Sequence, residues 1–146
     1  MSYVKYLALL MCIAMLGAAG YLFAWNPAHT EGRLAPFTTD GCSEFPDGTP
    51  QHRDLWLRCC IAHDHKYWAG GTYDERLQAD LELQQCVAKA GEPAIATLML
   101  AGVRVGGSPW WPTRFRWGYG WPYSHGYRAL SHEESEQVRQ LLQAGK

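Results

Sequence analysis

Nine consecutive residues, Cys59-Cys60-Ile61-Ala62-His63-Asp64-His65-Lys66-Tyr67, bring two cysteines, an imidazole beside a carboxylate, and a tyrosine together. On a helix, positions four apart share a face, so Cys59, His63 and Tyr67 line one stripe. Asp64 points about 100° away from His63. His63 can take a proton from water if a carboxylate on its other ring nitrogen fixes the tautomer. Asp64 can meanwhile face a hard cation such as calcium, which takes several carboxylate and carbonyl oxygens. More oxygens lie upstream, in Thr39-Asp40-Gly41-Cys42-Ser43-Glu44-Phe45-Pro46-Asp47.

Each of these residues also has a structural reading. His63 can be a buried histidine paired with a helix carboxylate, and Tyr67 can be packing. Asp40 and Asp47 both adjoin Gly or Pro and suit turns, and for Asp47 the turn reading prevails. Cys59, Cys60, His63 and His65 invite zinc, and with it a zinc-stabilised interaction module. Adjacent cysteines share a tetrahedral site poorly, however, and structural zinc motifs space their cysteines two to four residues apart. His65 is expected to face solvent.

The elements that must hold these residues are helical. The pattern predicts a helix from Arg53 to Tyr67 or Trp68, stopped by Gly70-Gly71. A second runs from Asp74 to Ala90, with Leu77, Leu81, Leu83 and Val87 as its apolar side. A third, Ala94 to Val105, starts at Pro93 and ends at Gly106-Gly107. Ser131-His132-Glu133-Glu134 reads as a capping box for a final helix carrying Val138, Leu141 and Leu142. Nothing alternates like strands, so the fold class is mainly α. The short Gly-Gly turn makes the first two helices an antiparallel hairpin.

Tyr6 to Trp25 is a charge-free apolar run of 20 residues, preceded by Lys5 and ended by Asn26-Pro27. That length suits a membrane-spanning helix. The cluster Gly17-Ala18-Ala19-Gly20 also suits cleavage of a signal segment. Either way the remaining chain lies outside the cytoplasm, periplasmic or extracellular, anchored or secreted. The chain thus divides into an anchor or signal segment (1–25), a linker (26–39) and a domain (40–146) ending in an aromatic-rich extension. Four cysteines outside the apolar run imply two disulfides in an exported domain. Adjacent Cys59 and Cys60 do not bridge each other, which leaves two pairings open. A net charge of −1 offers no case for nucleic acid, and protein partners are not legible. Pro109 to Trp121 is crowded with Trp and Arg. It suits either a lipid-facing surface or a wrap that fills the helical core.

The frame C-C-x-x-H-D-x-x-Y at 59–67 resembles the active-site helix of secreted phospholipases A2. The upstream Thr39-Asp40-Gly41-Cys42, followed by Pro46-Asp47, is closer to the bacterial and fungal members than to the animal ones. The resemblance covers Asp40 to about Cys86. It implies calcium-dependent hydrolysis of the sn-2 ester of glycerophospholipids at a membrane surface, without a covalent intermediate. By it, His63 is the base, Asp80 orients it and Tyr67 hydrogen-bonds the orienting carboxylate. Asp64, the Asp40 side chain and the Gly41 carbonyl would hold Ca2+. The disulfides would be Cys42–Cys60 and Cys59–Cys86. The second bridge sets the register of the hairpin, and His63 and Asp80 fall within about 3 Å of it along the axis. The alternative is a catalytically inactive module of the same fold that binds lipid or protein.

Overall fold

The computed structural model describes residues 32–145. The anchor or signal segment at 1–25, and the first residues of the expected linker, lie outside them. Four helices follow in order: α1 (Leu57–Ala69), α2 (Tyr73–Lys89), α3 (Pro93–Gly106) and α4 (His132–Ala144). Among the described residues there is no strand, and no helix is long and apolar enough to cross a membrane.

Local chemistry explains most of the boundaries. The Ser131–Glu134 capping box starts α4, and a second one, Thr72 with Glu75, starts α2. Pro93 sits in the first turn of α3. Gly70 ends α1 at φ +70°, and a Cβ there would come within 3.0 Å of Gly118 Cα. The start of α1 differs from expectation: residues 53–56 form turns, and the helix begins at Leu57. The cause lies upstream, because the loop holds Trp56 at both ends. Its backbone N donates to Asp47 O at 3.1 Å and its Nε1 to Pro46 O at 2.6 Å.

The disulfides are Cys42–Cys60 and Cys59–Cys86. Each stabilises the domain by about 2–4 kcal/mol by restricting the unfolded chain. The first ties the loop to α1, and the second ties α1 to α2. Around them Trp56, Leu83, Val87, Ala96 and Met99 form one core. Leu83 and Val87 are buried as expected, but Leu81 is 38% exposed. The inward side of α2 is instead Arg76, Ala79, Asp80, Leu83 and Val87. Helical spacing turns Leu81 about 100° from Asp80.

The aromatic stretch divides in two. Trp117 and Trp121 are buried, whereas Trp110 and Trp111 are more than half exposed. The buried half closes the end of α1. Gly118 N donates to Tyr67 O, Gly120 N to Trp68 O and Trp121 Nε1 to Ala69 O, while Trp117 Nε1 reaches Gly71 O. The first three of these bonds satisfy carbonyls that a helix C-terminus leaves without partners. Residues 34–39, expected as part of a linker, pack on the same region. Leu34 is buried, Ala35 N donates to Gly120 O, and Trp68 Nε1 donates to Ala35 O at 2.7 Å. His65 is likewise not solvent-facing: it is half-buried and stacks on Phe37 with centroids 3.7 Å apart.

Helix α4 docks through Glu134, which accepts from Arg128 Nη1 at 2.7 Å and lies 3.2 Å from His125 Nε2. The Arg128 bond pulls the Glu134 carboxyl from its ordinary 4.5 down to about 2. A depressed carboxyl stabilises the fold above its unfolded pKa and loses that contribution as pH falls through its folded value. Glu134→Gln keeps the capping geometry and removes the charge. It is therefore expected to lower the melting temperature at pH 7, with the difference fading towards pH 2, as read by thermal denaturation across that range.

Candidate functional site

The site is built where α1, α2 and the end of α3 meet. His63 Nε2 lies 3.0 Å from Asp80 Oδ1, and Tyr67 Oη donates to the same oxygen at 2.7 Å. With Nε2 given to the carboxylate, the acceptor nitrogen left on the neutral ring is Nδ1. Asp80 is fully buried. Its Oδ2 makes no hydrogen bond and pairs with Arg104 Nε at 3.2 Å, with Arg76 Nε further off at 3.9 Å. Burial and the Asp80 charge push the Tyr67 hydroxyl well above its ordinary range, so it stays a donor.

The two arginines had no part in the sequence expectation. Arg76 is buried, and its Nε donates to Tyr67 Oη at 3.0 Å. Its Nη2 donates to Val103 O and Arg104 O, carbonyls in the last turn of α3, and its Nη1 to Tyr127 Oη. A guanidinium there also complements the negative end of the α3 dipole. Arg104 Nη2 in turn donates to Leu77 O at 3.0 Å. The signal for Arg76 was available: it precedes Asp80 by four residues, the spacing of a helical ion pair. Nothing local pointed to Arg104, which sits 24 residues beyond Asp80.

His63 and Tyr67 line a pocket of about 450 Å³. Its walls are apolar, with Phe45, Leu83, Leu98, Met99, Val103 and Phe115, and the volume suits a small-molecule site. Gly107 makes the Tyr67 contact possible, because a Cβ there would stand 2.4 Å from the Tyr67 hydroxyl.

Asp64 lines this pocket too, and with Asp40 it also lines a polar pocket of about 150 Å³. Thr39 Oγ1 donates to Asp64 Oδ2 at 2.6 Å, while Asp40 accepts from Ser43 Oγ at 2.9 Å and pairs with Arg114 Nη2 at 3.2 Å. Burial pushes the Asp64 carboxyl up to about 7 despite the Thr39 bond, and the Asp40 charge adds to the rise. Gly41 lies at φ +79° with Asp47 packed against it, and Asp47 Oδ1 accepts from Cys42 N at 2.8 Å. Asp47 thus shapes the loop, in keeping with its turn reading.

The donors here are hard oxygens, which fit calcium: the Asp40 and Asp64 carboxylates and the backbone of the Gly41 loop. Among the described residues no three His, Cys, Asp or Glu side chains gather as a metal cluster, so carbonyls and water would complete the shell. Cys59 and Cys60 are both in disulfides, which leaves zinc no thiolate at this helix. Comparison with family models, with curated proteins and with solved structures finds no match.

Asp80→Asn keeps the shape of the side chain and leaves Arg104 and Arg76 without their buried counter-charge. It is expected to destabilise the domain by about 3 kcal/mol in urea unfolding.

Proposed function

We propose that this chain is a phospholipase A2-like hydrolase that cleaves the sn-2 ester of glycerophospholipids with calcium bound. The observation that carries the proposal is His63 Nε2 at 3.0 Å from a fully buried Asp80, with the same imidazole lining a large apolar pocket. A His oriented by a carboxylate, next to a pocket for an acyl chain, can activate water against an ester. In this reading the acyl chain lies along Leu98, Met99 and Val103. His63 Nδ1 takes the proton of the attacking water, and Asp80 stabilises the charge that the ring gains. Tyr67 holds Asp80 in place and moves no proton. Calcium at Asp40, Asp64 and the Gly41 carbonyl would supply electrostatic stabilisation of the developing oxyanion.

The substrate surface is a phospholipid membrane. The exposed Trp110 and Trp111 suit the membrane–water interface. The two disulfides support a location outside the cytoplasm, and the apolar N-terminal run supports anchoring or secretion. The resemblance carried by C-C-x-x-H-D-x-x-Y is the further support for the family.

One observation favours a second reading, an inactive lipid- or protein-binding module of the same fold. Arg114 occupies the Asp40 carboxylate, where the catalytic reading places calcium.

Fatty-acid release from phospholipid vesicles separates the two. The wild-type chain is expected to release fatty acid with calcium and to stop in chelator, and His63→Gln is expected to lower the rate by about 10²–10⁴. Equal background rates for wild type and His63→Gln would sink the hydrolase reading.

A further inference from the structure

The apolar pocket and the small polar pocket are neighbours with common walls: Ser43, Asp64 and Phe115 line both. Such a pair suits an amphiphile, with its chain in the larger space and its headgroup in the smaller. Arg114 is the one cationic side chain that lines either pocket among the described residues. It is 66% exposed and bound to Asp40, itself 41% exposed. An exposed ion pair of this kind adds little stability, so it can exchange partners. A guanidinium also matches a phosphate in shape, with parallel N–H donors. Arg114 stands next to Phe115, a wall of both pockets, and so sits where chain and headgroup would meet.

We propose that Arg114 is a phosphate receptor held in reserve by Asp40. It exchanges the Asp40 carboxylate for the phosphate of a lipid whose acyl chain lies in the apolar pocket. The inference deepens the proposed function, since it names what selects a phospholipid over another ester. The exchange frees Asp40, so headgroup binding and a cation at Asp40 support each other. It also gives the Arg114–Asp40 pair a role in either reading of the site, catalytic or inactive.

Calorimetric titration of the full chain tests the exchange without relying on turnover. The ligands are a short-chain diether phosphatidylglycerol, which cannot be hydrolysed, the matching phosphate-free diether glycerol, and inorganic phosphate. Each is titrated in chelator and again in calcium. Wild type is expected to bind the phospholipid about tenfold more tightly than the phosphate-free analogue. Arg114→Ala removes that preference, Arg114→Lys keeps part of it, and Asp40→Asn increases it in chelator by releasing Arg114. Because Arg114 is exposed, its variants are expected to melt with the wild type, which thermal denaturation checks. A wild-type preference that survives Arg114→Ala overturns the proposal, as does a wild type that shows no preference. Weaker phospholipid binding by Asp40→Asn in chelator overturns the exchange. Inorganic phosphate bound as tightly as the phospholipid overturns the lipid assignment. If this pattern holds while wild type releases no fatty acid, the hydrolase reading fails and the Arg114 assignment stands.

Discussion

A carboxylate with no access to water is the constraint around which this domain is arranged. Asp80 is fully buried, and a bare charge there would cost several kcal/mol even after relaxation. Four side chains from three helices answer it: His63 and Tyr67 from α1, Arg76 from α2 itself, and Arg104 from α3. Removing one member leaves the others holding uncompensated polarity. The same cluster therefore fixes how the helices meet and how the imidazole is turned. Stability and the candidate chemistry draw on one set of contacts.

The rest of the architecture can be read as support for that cluster. The Cys59–Cys86 bridge holds α1 and α2 in the register that brings His63 to Asp80. Arg76 reaches past Tyr67 to the last carbonyls of α3, so the third helix is docked by the residue that backs the tyrosine. The strap of residues 117–121 completes the hydrogen bonds of α1 just beyond Tyr67, and Trp117 packs edge-on against the tyrosine ring. Gly107, just past the end of α3, makes room for this, since any side chain there would strike the Tyr67 hydroxyl. The loop of residues 39–47 is held more lightly. It hangs from the Cys42–Cys60 bridge and from Asp47, and its Asp40, 41% exposed, pairs with the exposed Arg114 of the aromatic stretch.

This difference in burial shapes the two halves of the candidate site. The His63 half is buried and held by several partners at once. The Asp64 half carries two acidic groups, Asp64 held by Thr39 and Asp40 paired with the exposed Arg114. A hydrolase uses both properties, a fixed base and an adjustable electrostatic clamp. A binding module would need only the second.

Much of the fold was legible in the residues because its determinants are local. Helical spacing, Pro93, the Gly70-Gly71 break and the Ser131 capping box act within a turn or two, so each leaves a short-range pattern. His63 and Asp80 were legible together because the Gly70-Gly71 turn and the Cys59–Cys86 bridge implied by the resemblance fix which residues of the hairpin face each other. The exposed side of Leu81, the burial of Leu34 and the stacking of His65 on Phe37 were not legible, because they depend on which distant segment covers which face. Arg104 belongs with them: no pattern within α3 distinguishes an arginine that points to solvent from one that grips a carboxylate on another helix. The sequence by itself determined the four helices and the capping box of the last, since these follow from spacing along the chain, while the facing of His63 and Asp80 followed once the resemblance supplied a bridge. The tertiary structure alone decided Arg104 on Asp80, the strap over α1 and the joined pockets, because charge compensation from another helix and enclosure arise only where remote segments meet.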